Sequence, residues 1–164
     1  MAFGTPAAAA LWLLVPAIPV GLWVAWSDMK AMRIPNMAVL ALTLGFFVFG
    51  LIALPLADWG WRWLHLAVVL VIGFLLTIGG VMGAGDAKFA AAMAPFFAAG
   101  DVRVVLALFA AVLLAAFASH RALRAVPAFR RAAPDWASWT HAKFPMGLAL
   151  AGTLIFYLAL AAAA

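Results

Sequence analysis

The sequence predicts an all-α membrane protein with six transmembrane helices, and three observations carry that prediction. Of 164 residues, 70% are hydrophobic and only 9% charged, with a mean hydropathy of +1.20, whereas ordinary soluble domains are about 45–50% apolar. A water-soluble domain of this length exposes too much surface to hide so many Leu, Ala, Val, Phe and Trp side chains in one core, so lipid must cover the remainder. Apolar runs approaching the roughly 20 residues that cross a bilayer occur at about 7–26, 37–56, 64–82, 87–100, 102–119 and 145–163. Polar or turn-forming stretches separate them: Ser27 to Asn36, Asp58 to Arg62, Gly83 to Lys88, Gly100 to Arg103, and His120 to Lys143.

The first span carries Pro16 and Pro19, which are expected to kink it. No Lys or Arg precedes it, so it reads as mature chain rather than a cleaved signal peptide. Pro35 suits the start of the second span, and Ile34 before it is pushed towards an extended conformation. The fourth span is short: from Gly100 back to Asp86 is 14 residues, or about 21 Å at helical rise, against a hydrocarbon thickness of roughly 30 Å. Asp86 is therefore expected below the membrane surface, where irregular backbone needs protein or a hydrated cavity around it. The connector from His120 to Lys143 holds five basic residues with Trp136 and Trp139, a mixture suited to lying against anionic headgroups. Most of the eight tryptophans fall near span ends, as interfacial anchors do. The whole chain reads as a single membrane domain.

With six spans, the first, third and fifth loops share one side and both termini the other. The odd loops hold Lys30, Arg33, Lys88, Arg121, Arg124, Arg130, Arg131 and Lys143, eight of the ten basic residues; the other side holds Arg62 and Arg103. The positive-inside rule makes the odd loops cytoplasmic and the termini periplasmic. Asp28 and Asp86 lie in the first and third loops, so parity places both carboxylates on the cytoplasmic side. The basic residues are too few and too dispersed to suggest nucleic-acid binding.

Cysteine and glutamate are absent, so carboxylate chemistry must come from Asp28, Asp58, Asp86, Asp101 or Asp135. The segment Gly79-Gly80-Val81-Met82-Gly83-Ala84-Gly85-Asp86-Ala87-Lys88 is a glycine-rich turn ending in an acid and a base. Gly83 and Gly85 are free to take positive φ and to let another backbone approach, and Asp86 near a helix start has its charged form favoured. Alone, the segment also fits a loop with a capping aspartate. The spacing of a phosphate-binding Walker loop is missing. The segment Ser27-Asp28-Met29-Lys30-Ala31-Met32-Arg33-Ile34-Pro35-Asn36 alone also fits a turn whose charges anchor two helices; Lys30 and Arg33 suit that role. His65, His120 and His141 show no metal-ligand spacing, and Ser119-His120 lacks the glycine-flanked elbow of a serine hydrolase.

In combination, Asp28 followed by Arg33-Ile34-Pro35-Asn36, then Gly83-Ala84-Gly85-Asp86-Ala87-Lys88, resembles the prepilin peptidases among the GxGD membrane aspartyl proteases. Phe144-Pro145-Met146-Gly147 is similar to the Pro-containing start of that family's final helix. The match is closest to the short tight-adherence (Flp pilus) type, without the cytoplasmic domain and Cys-x-x-Cys motifs with which larger members methylate the processed pilin. The resemblance implies a GxGD-type bundle in a bacterial inner membrane, with Asp28 and Asp86 catalytic and Gly83, Gly85, Lys88, Arg33, Ile34, Pro35 and Asn36 supporting. It implies a substrate that is a type IV or Flp prepilin or pseudopilin, cut after its short basic leader at the cytoplasmic face. An archaeal preflagellin is the other substrate of this chemistry.

Hydrolysis by two carboxylates needs one ionised and one protonated, a split that proximity of like charges enforces. No metal or cofactor is required. Lys88 could bias Asp86 or simply snorkel to the interface. Asp58 and Asp101 are expected on the opposite side, where their replacement leaves cleavage intact. The alternative from another class is a small proton-coupled transporter using intramembrane aspartates; both acidic motifs lying towards one side argues against it.

Overall fold

The computed structural model describes residues 3–164, and among them every regular element is helical. Helix α1 spans Ala7–Ala31 and α2 spans Asn36–Ala53, with one wide π turn at Phe46–Gly50. They are followed by α3 (Leu56–Ile78), α4 (Ala84–Met93) and α5 (Val102–Ala125). A short α6 (Pro127–Ala132) and the long α7 (Met146–Ala163) complete the chain.

Five helices are long and apolar enough to cross a membrane: α1, α2, α3, α5 with its preceding turn, and α7. The fourth expected span differs. It begins earlier than 87, because Gly83 caps α4 and brings Ala84 and Gly85 into the first turn. It ends earlier than 100, because Pro95 has no amide to continue the ladder; a 3-10 turn covers Ala94–Phe96 and Phe97 is extended. The segment nonetheless runs the length of the bundle. Gly85 packs beside Ile34, at the Asp28 end of α1, whereas the Asp101 carboxylate accepts from the Gly4 N–H beyond the other end of α1.

Several helices overrun the apolar runs that announced them. Helix α1 continues unbroken through Pro16 and Pro19 to Ala31, α3 starts at Leu56 rather than 64, and α5 reaches Ala125 rather than 119. Backbone hydrogen bonding does not stop where hydropathy does, so polar residues such as Asp28, Arg62 and Arg121 sit in helical turns rather than in loops.

Helices α1 and α7 pack along each other at the centre, where Leu13, Val24, Leu154, Tyr157 and Leu158 are fully enclosed. Gly45 allows α2 to close on α1, since a Cβ there would lie 2.5 Å from Pro16 Cβ. Gly73 does the same for α3 against α4, where a Cβ would lie 2.9 Å from Ala87 Cβ. By contrast α5 stands at the edge, with His120 as its one buried residue, and an apolar cavity of about 620 Å³ opens between it, α3 and α4. Large apolar side chains such as Ile72, Phe74 and Leu114 point outward, the arrangement of a protein whose solvent is lipid.

A buried polar chain ties down the end opposite Asp28. Arg62 donates to the Thr5 hydroxyl at 3.2 Å and more loosely to the Pro95 and Phe96 carbonyls left free by the broken helix. Thr5 lies 3.0 Å from the Tyr157 hydroxyl, which accepts from the Ala98 N–H and donates to Asp101 at 2.6 Å. Asp101 is thus buried, whereas Asp58 is exposed. The connector also differs from a segment merely resting on headgroups. Trp139 turns inward, stacks on buried His120 with ring centres 5.4 Å apart, and donates to the Ala133 carbonyl.

Candidate active site

The last turn of α1 presents Asp28, which is 5% exposed. The helix ends there because Met32 adopts a left-handed conformation (φ 50°, ψ 39°) with its N–H on the Asp28 carbonyl. Ser27 then donates to the Arg33 carbonyl at 2.9 Å, folding the chain back. Pro35, extended at ψ 137°, caps α2, whose first residue is Asn36. Ile34 is buried; Arg33 and Asn36 are exposed and carry their part through the turn. Lys30 is exposed and lies over the Trp26 ring at 4.9 Å.

Asp86 lies in the first turn of α4 and is half-buried. The glycines before it act differently from the positive-φ expectation. Gly83 has φ −70°, and the positive-φ glycine among the described residues is Gly80. What Gly83 supplies is space: a Cβ there would lie 2.7 Å from Asp86 Oδ2. Gly85 sits in ordinary contact with Ile34, 3.5 Å from its Cβ by the same measure, and so joins the two acidic segments.

Asp28 and Asp86 lie at the same end of the bundle, since Gly85, next to Asp86, packs beside Ile34 in the turn that follows Asp28. Lys88 is exposed, as is Lys143 of the connector. The Gly147 N–H donates to Asp28 Oδ2 at 2.7 Å. The sequence marked Gly147 only as the end of Phe144-Pro145-Met146-Gly147, similar to the start of the family's final helix; nothing local showed that its N–H meets Asp28.

An all-helical bundle with five helices able to cross a membrane defines a polytopic membrane protein, here with two aspartates at one end. The model of the type IV leader peptidase family matches residues 8–119, a stretch that includes both aspartates, and the chain belongs to that family. It is an aspartic-type endopeptidase, a hydrolase acting on prepilin-type protein substrates. No curated protein and no solved structure matches the chain.

Proposed function

We propose that this enzyme is a prepilin peptidase of the short tight-adherence (Flp pilus) type, in which Asp28 and Asp86 form the catalytic pair. On this reading it is one membrane domain with six crossings, including the short segment that carries Asp86. Both termini are periplasmic, and the site opens to the cytoplasmic face of a bacterial inner membrane. The substrate is an Flp or type IV prepilin or pseudopilin, relieved of a short basic leader. The observation that carries the reading is the convergence, at one end of the bundle, of two aspartates 58 positions apart in the chain. Gly83, Gly85, Ile34 and Pro35 support that convergence through backbone shape and packing, while Arg33, Lys88 and Asn36 lie at its exposed margin.

In the reaction, the ionised carboxylate takes a proton from a water molecule as its oxygen attacks the scissile carbonyl, while the protonated partner donates to the carbonyl oxygen. Collapse of the tetrahedral species breaks the C–N bond and delivers a proton to the leaving amine. The pair returns to its starting state with one shared proton, held there by mutual repulsion in a partly buried site.

The test is co-expression with a tagged precursor, scoring the size shift in wild type and in aspartate variants, with cysteine labelling at positions 28 and 86 to establish the exposed face. Processing retained without either carboxylate, or labelling of the two positions from opposite faces, overturns the reading. Substrate-dependent proton flux in proteoliposomes without proteolysis would instead establish a transporter.

A further inference from the structure

We propose that Gly147 is a positioning residue of the active site: its backbone N–H fixes the Asp28 carboxylate, and the absence of a side chain at 147 lets the final helix close on it. The proposal rests on the reading of Asp28 as catalytic and adds to it a part of the chain beyond the matched stretch of residues 8–119.

Two independent features support it. The first is the hydrogen bond itself, 2.7 Å long and buried, between groups 119 residues apart; this is the short range of bonds that end on a charged acceptor. Gly147 is the second residue of α7, where N–H groups have no acceptor within the helix and carry partial positive charge. Asp28 Oδ2 supplies the missing acceptor. The second is steric. A Cβ at 147 would lie 3.0 Å from both Asp28 Cβ and Oδ2, and 3.1 Å from Val24 Cγ1. The crowding falls on the root of the Asp28 side chain as well as its tip, so rotation about χ1 alone cannot relieve it.

The donor is held from both sides. After it, α7 lies in continuous contact with α1, with Gly21 admitting Ile155 and Ala151. Before it, Pro145 caps the helix, and Phe144 packs edge-on to His120 and against Phe117. His120 in turn stacks on Trp139. The connector and final helix therefore deliver one amide to a fixed point. Displacement of a reacting group by about 1 Å costs on the order of 100-fold in rate.

The test compares Gly147→Ala with Gly152→Ala in the full chain. Gly152 is also on α7 and equally tight, with a Cβ placed 2.9 Å from Val112 Cγ1, but it faces α5. Gly147→Ala is expected to lower kcat about 100-fold with KM for the precursor unchanged, and Gly152→Ala to keep kcat within about threefold. Wild-type kcat in Gly147→Ala, or equal losses in both variants, overturns the proposal. Asp28→Asn separates its failure from that of the underlying reading: if that variant still cleaves, the catalytic pair itself is wrong. If it is inactive while Gly147→Ala is fully active, only the role of Gly147 falls. Should Gly147→Ala not accumulate, thermal unfolding of Asp28→Asn and Asp28→Leu gives the second measurement. Asparagine keeps an oxygen for the Gly147 N–H and leucine does not, so the asparagine variant is expected to melt higher; equal melting counts against the bond.

Discussion

Asp28→Asn and Asp86→Asn will each reduce precursor cleavage by about four orders of magnitude while the protein stays folded. General acid and general base transfers are each worth about 10²–10⁴ in rate, and groups that act as one unit lose nearly the whole effect when either is removed. Asparagine preserves the size of the side chain and, at position 28, an oxygen for the Gly147 N–H, so the loss falls on proton transfer rather than on packing. Purified variants assayed on tagged precursor, with thermal unfolding in detergent as the folding check, give the comparison. Cleavage within tenfold of wild type in either variant would remove the pair from the mechanism.

The second large effect concerns stability and separates two aspartates that sequence alone treats alike. Asp101→Ala removes the acceptor shared by the Gly4 N–H and the Tyr157 hydroxyl, both in the buried chain that also holds Thr5 and Arg62. Each orphaned buried group costs about 1–3 kcal/mol, and Arg62 loses a nearby carboxylate as well, so a destabilisation of about 4 kcal/mol is expected. Asp58 is exposed near the start of α3, and Asp58→Ala is expected to stay within about 0.5 kcal/mol. Melting temperatures and the amount of protein recovered from membranes measure both; equal values for the two variants would show that the polar chain holds nothing together. Cleavage per folded Asp101→Ala molecule should persist, because the network lies at the end remote from Asp28.

The connector shows the same division. Its arginines and tryptophans suggested a segment resting on headgroups, and Arg130 and Arg131 are indeed exposed. Nothing local marks Trp139 as different from Trp136, yet the structure buries Trp139 against His120. Lys88, two residues from Asp86, was the visible candidate for acting on it, and the structure leaves that side chain exposed.

Composition and hydropathy by themselves determined a helical membrane protein, the order of its apolar runs and the two acidic motifs. Those properties are local: a hydrophobic run or a glycine turn is complete within some twenty residues. Parity of the loops even placed Asp28 and Asp86 on one side. Only the tertiary structure decided that α4 breaks at Pro95, that Asp101 is locked into a polar chain, and that Gly147 meets Asp28. Each depends on how closely helices approach through space, which is set by side-chain volume at contacts far apart in the chain and leaves no periodic trace along it.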